Sequence, residues 1–98
     1  MRLSLCAFAV AGLFIAASGA QAADGQTVYN QSCASCHQML APKTGDKAAW
    51  VPLIAKGTDA LTASVIKGKG MMAARGGHAN LSDADIRAAV EYMENKSK

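Results

Sequence analysis

The sequence predicts an all-α fold, and three observations carry that prediction. Helix-capping residues stand ahead of apolar positions spaced three and four apart, most clearly after Ser82. Strand signals are missing: apolar and polar residues do not alternate, and no Asn-Gly or Asp-Gly pair separates two β-branched runs. The one glycine-dense stretch, residues 68–77, lies between two helical patterns and reads as a loop. With 98 residues and a formal charge of +3, the chain has room for one small domain and no second core.

The first element stands apart. Residues 1–22 run from a single charge at Arg2, through an apolar stretch from Leu3 to Ala17, to small residues ending in Ala20-Gln21-Ala22. This is the layout of a secretory signal peptide with an A-x-A site, and cleavage is expected after Ala22. A permanent anchor fits less well, because the apolar run is shorter than the roughly 20 residues a spanning helix needs. Cys6 precedes most of the apolar stretch, which argues against a lipoprotein, and it leaves with the leader.

Residues 23–98 form the remaining unit, without repeat, low-complexity tract or linker. Alanine dominates its apolar content, and its aromatic residues are Tyr29, Trp50 and Tyr92. A domain of about 60 residues buries only about 60% of its unfolded surface, so so thin a core calls for a disulfide, a metal or a cofactor.

Along this unit, Asp24 caps a first helix that carries Val28 and Tyr29 and leads into Cys33. Asp46 caps a segment through Trp50, and Pro52 limits its unkinked continuation. Thr58 or Asp59 caps a third helix with Leu61, Val65 and Ile66, closed by Gly68. Ser82 opens the last helix, with Asp83 and Asp85 at the positive end of its dipole. Ile86, Ala89, Val90 and Met93 then form one apolar stripe.

Cys33-Ala34-Ser35-Cys36-His37 is a C-x-x-C-H motif, the signature of c-type haem attachment. Two cysteines three apart lie on one side of a helical turn, where both thiols can add to the vinyl groups along one porphyrin edge. The following histidine is one turn from the first cysteine and is placed to offer an imidazole nitrogen to iron. A thioredoxin-type dithiol would need a preceding strand. A zinc site would need a second ligand pair, and a disulfide across two residues would constrain the chain little.

The chain resembles the class I cytochromes c, and within them the small bacterial cytochrome c5 type. The resemblance rests on Gly25 and Tyr29 before the motif, on the run from Ala41-Pro42 to Trp50, on Gly68-Lys69-Gly70, on Arg75-Gly76-Gly77, and on Leu81-Ser82-Asp83. It implies an all-α, small monohaem cytochrome c fold, with three to five helices around one covalent haem c and its iron. It also implies that the first and last helices cross near Gly25 and Tyr92. Two departures stand out. Only Gln38-Met39-Leu40 separate His37 from Ala41-Pro42, a shorter segment than the family's, and Ala73-Ala74 stand where the family has two prolines after its methionine.

Core filler is the default role of a methionine, and it suits Met93 and Met39. Met71 and Met72 sit in the glycine-rich loop, where packing is poorly served. In the family's Gly-x-Met register, Met72 follows Gly70 and is the expected second axial ligand, ahead of Met71 and His78. The resemblance also implies that the Trp50 indole donates to a haem propionate. It further implies that the Pro42 carbonyl receives the other ring nitrogen of His37, which would fix tautomer and ring orientation.

These features point to an electron carrier of the periplasm, within a respiratory or other redox chain. Its expected ligand set is Cys33, Cys36, His37 and Met72, with Trp50 and Pro42 in support. Redox proteins with acidic docking surfaces are the expected partners, because Lys43, Lys47, Lys56, Lys67, Lys69 and Arg75 fall where the haem edge would be. Asp83, Asp85, Glu91 and Glu94 gather instead on the last helix. No nucleic-acid role and no anchor after leader cleavage are expected, and the protein is expected to be a monomer, with a weak dimer as the alternative. The rival readings are a haem protein with a labile sixth ligand, acting as a peroxidase or gas binder, and a module that uses haem only structurally. The proline-less methionine loop is the only feature that favours the former.

Overall fold

The computed structural model describes residues 24–98; the expected leader and cleavage site, with Cys6 and Ala23, lie outside the described residues. Asp24 accepts the Thr27 N–H at 3.3 Å and starts α1 (Gly25–Val28). The helical path continues through a π turn (Tyr29–Cys33) into α2 (Ala34–His37). In the π turn the Ala34 N–H reaches back to the Tyr29 carbonyl, so these two residues stack, and both are buried.

After a tight turn, Asp46 caps α3 (Lys47–Lys56) through the Ala49 N–H at 3.3 Å. Pro52 does not end the helix, which runs four residues beyond it with the proline exposed. The cap of α4 (Thr58–Lys67) also differs from expectation. Gly57 holds the cap position, and Thr58 and Asp59 are the first two residues inside the helix. The Thr58 hydroxyl instead donates to Glu94 at 3.1 Å. Gly68 closes α4 as expected. The glycine-rich stretch carries a single isolated bridge, between Lys69 and Met72, and a 3-10 turn at Ala74–Gly77; no strand occurs among the described residues.

Last comes α5 (Asp83–Lys96), opened by a full capping box between Ser82 and Asp85. Its stripe of Ile86, Ala89, Val90 and Met93 is buried as expected. Where α1 crosses α5, a Cβ on Gly25 would lie 2.3 Å from the Ala88 carbonyl oxygen and 3.3 Å from the Tyr92 Cβ. Only glycine permits so close an approach, and it brings the Tyr29 and Tyr92 rings to 5.0 Å between centroids. On its other side α5 meets α4 through Arg87–Asp59 and Thr58–Glu94. Glu94 is thereby buried against α4, so the acidic face expected of the last helix loses one of its members. No helix among the described residues is long and apolar enough to cross a membrane.

Candidate functional site

The helices enclose a cavity of about 860 Å³, toward the upper end of the roughly 300–1,000 Å³ of ligand pockets. Cys33, Cys36 and His37 enter it from the first helical segment, Met72 from the glycine-rich loop, and Pro42 and Trp50 from the intervening turn and α3. Leu53, Leu61, Val65, Ile86, Val90 and Met93 make its lining apolar. Every charged residue on its wall is a cation, namely Lys56, Lys69 and Arg75. Such a cleft suits an apolar macrocycle with two carboxylate tails.

The motif residues are placed by the end of the π turn, which holds Cys33, and by α2, which holds Cys36 and His37. Cys36 is exposed and Cys33 half-buried, and no disulfide joins them. Burial, and then the neighbouring Cys36, push the Cys33 thiol above its ordinary value. His37 Nδ1 lies 3.0 Å from the Pro42 carbonyl oxygen. That oxygen can only accept, so Nδ1 must carry the proton, and Nε2 is left with the lone pair a metal requires. The turn that brings Pro42 back is held by Thr44 N–H to the His37 carbonyl at 2.8 Å and by Gly45 N–H to the Ser97 hydroxyl at 2.9 Å. The shortened segment therefore still presents a carbonyl to the imidazole.

Trp50 is buried at the cavity, but its indole N–H donates to the Lys43 carbonyl at 2.9 Å. Met39 departs further from expectation. It is 77% exposed, not core filler, because the short segment after His37 carries it and Leu40 to the surface.

The methionine loop is built around glycines. Lys69 and Met72 exchange both backbone hydrogen bonds, at 3.0 and 2.9 Å, so Gly70 and Met71 form a two-residue reverse turn. Gly70, with φ of 58°, supplies the left-handed geometry at its first central position. Both adjacent methionines line the cavity, but Met71 stands fully exposed at the tip of this turn and Met72 is half-buried. His78 is half-buried and does not line the cavity.

Arg75 also departs from expectation. It belongs to no outward ring of cations, because its guanidinium donates to the Leu81 carbonyl at 2.8 Å and to Asp83 at 2.6 Å. Sequence reading missed this tie, since the pattern that would reveal it joins a loop to the first residue of a helix eight positions on.

The comparisons with known proteins agree with this geometry. Residues 20–93 match the family model described as cytochrome C oxidase, cbb3-type, subunit III. Over 84 residues the chain is 52% identical to cytochrome c-555 of Chlorobaculum tepidum, covering 79% of this chain and 78% of that protein. It is 38% identical over 80 residues to cytochrome c5 of Azotobacter vinelandii, covering 76% and 96%. This chain is a small class I cytochrome c.

Among solved structures, the cytochrome is similar to a chain in the electron transfer complex of nitrite reductase with cytochrome c. That match has a TM-score of 0.73 and 48% identity, and covers 76% of this chain and 94% of that one. A mono-haem ferrocytochrome c from Shewanella putrefaciens matches with a TM-score of 0.66 and 39% identity, covering 78% and 96%. The cytochrome thus carries one covalent haem c with its iron and is an electron carrier, not an enzyme. When bound, the haem supplies one-electron exchange between ferric and ferrous iron. Two thiols, an imidazole whose Nδ1 faces a carbonyl oxygen, and a largely apolar lining meet at the cavity where such a haem would sit.

Proposed function

We propose that this cytochrome is exported, loses residues 1–22, and carries single electrons between redox proteins of the periplasm with His37 and Met72 as its axial ligands. The observation that carries the proposal is the convergence of Cys33, Cys36, His37 and Met72 on one apolar cavity. A thioether opposite an imidazole raises the iron's potential and fills the sixth position, which suits a carrier and leaves no site for substrate. The leader pattern supports export.

The docking face is the mouth of that cavity. Lys56, Lys69, Leu40 and Met71 line it and are exposed, and Lys43, Lys47, Lys67 and Met39 are exposed elsewhere on the surface. The partner is a redox protein with an acidic rim around an apolar contact. Because one structural relative is solved in a complex with a nitrite reductase, an enzyme of that class is the first partner to test. Absorption spectra of both redox states, with and without carbon monoxide, test the ligand set. The expected result is a weak red thioether-to-iron band in the ferric protein and no ready binding of carbon monoxide by the ferrous one. Immediate carbon monoxide binding would overturn the proposal in favour of an open haem.

A further inference from the structure

Ala73-Ala74 fix no φ after Met72, so the loop needs some other restraint on that side. We propose that Arg75 is a positioning residue that latches the methionine loop to the start of α5 and so holds Met72 against the haem; the proposal rests on Met72 being the sixth ligand.

Arg75 has φ of 58°, and it is the one residue other than glycine in the left-handed region among the described residues. Gly76 and Gly77 follow with φ of 62° and 82°, so glycine is the residue this backbone asks for. An arginine held there must be serving through its side chain. The fork spans two acceptors that are themselves fixed. Leu81 and Asp83 flank Ser82, and the capping box pins that junction to α5, the helix whose Ile86, Val90 and Met93 line the cavity. Between Met72 and Arg75 the chain has little slack, because Gly76 N–H returns to the Ala73 carbonyl at 2.9 Å. Met72 is thus held from both sides, by the Lys69–Met72 turn before it and by the arginine latch after it. The pair is also unlike Arg87–Glu91, an i,i+4 pair along the surface of one helix that ties no loop to anything.

The test uses the haem-loaded cytochrome and imidazole as an exogenous ligand for ferric iron. Imidazole displaces the thioether only when the loop opens, so its apparent affinity reads the open fraction. The red band follows the displacement. Arg75→Gly relieves the backbone and removes the latch, and imidazole should then bind about tenfold more tightly. Asp83→Asn keeps a hydrogen-bond acceptor but loses the charge and should give about threefold, while Arg75→Lys, which cannot reach both acceptors, should fall between wild type and Arg75→Gly. Glu91→Gln should change nothing, and helix melting should shift far less than the imidazole affinity. An affinity within twofold of wild type for both Arg75→Gly and Asp83→Asn overturns the proposal, as does an equal effect from Glu91→Gln. If Arg75→Gly fails to mature, Asp83→Asn decides. Persistence of the red band in Met72→Ala would instead overturn the ligand assignment, and the latch with it.

Discussion

Gly57 and Gly68 offer a matched pair of perturbations. Gly57 has φ of 92° and ψ of 152°, Gly68 has φ of 87° and ψ of 154°, and both conformations are nearly closed to other residues. Alanine at either position should therefore cost a similar 1–3 kcal/mol or so in backbone strain. The surroundings differ. A Cβ at Gly57 meets nothing within 4 Å. One at Gly68 meets the Ala74 nitrogen at 2.8 Å, the Met72 carbonyl oxygen at 3.0 Å and the Ala73 carbonyl carbon at 3.2 Å. The methionine-loop backbone would have to retreat from 2.8 Å to the 3.4 Å at which ordinary contact begins. Overpacking of this kind adds about 1–3 kcal/mol, and the loop yields more readily than the helix behind it. That range corresponds to a roughly 5- to 150-fold rise in the open-loop population. Both variants should melt lower, by about 4–8 °C per kcal/mol for a domain of this size, as followed by far-ultraviolet circular dichroism. Only Gly68→Ala should also weaken the red ferric band and let the ferrous protein bind carbon monoxide below its melting range. Equal loss of the band in Gly57→Ala would refute the reasoning, because it would mean that strain alone opens the loop.

The remaining expectations concern the thiols, the two methionines and the lysines. Purified mature protein should have the mass of residues 23–98 plus one haem and keep its colour through acid-acetone extraction, whereas a Cys33→Ala, Cys36→Ala double variant should lose the colour on extraction. Met72→Ala should abolish the red band, admit carbon monoxide and lower the reduction potential, while Met71→Ala, removing a side chain at the exposed tip, should leave all three unchanged in spectroscopy and voltammetry. Lys67→Glu and Lys69→Glu should slow association with an acidic redox partner in stopped-flow traces, and the wild-type rate should fall as salt shortens the screening length to about 10 Å at 0.1 M. A rate indifferent to both would place the contact on the apolar surface of Met39, Leu40 and Met71 instead.

The parts of this fold that could be read in advance are those whose cause is local. Asp24, Asp46 and Ser82 cap helices by bonding an amide three residues on, and the stripe from Ile86 to Met93 states its own burial. The C-x-x-C-H motif is five consecutive residues. What escaped reading depends on distant partners. Gly57 caps α4 by backbone geometry, with no side chain to announce it, and Thr58 was drawn away by Glu94, 36 positions later. The Trp50 donor found Lys43, seven positions back, through a turn that only the folded path creates. Methionine is core filler by default, but a segment of three residues between His37 and Ala41 leaves Met39 on the surface.

The wide turn at Tyr29–Cys33 makes the attachment motif sensitive to phase. In uninterrupted α-helix, Cys33 would lie beneath Tyr29, four residues on, and would point at α5. The extra residue in that turn puts Ala34 beneath Tyr29 instead and turns Cys33 toward the cavity. The turn has already absorbed one residue, so losing a position between Tyr29 and Cys33 would let it close as ordinary α-helix with Ala34 still beneath Tyr29 and the thiols and imidazole still facing the cavity. An added residue has no such slack: it would turn the motif by about 100° with C-x-x-C-H intact, so the spacing to Tyr29, as well as the motif, decides where the ligands aim.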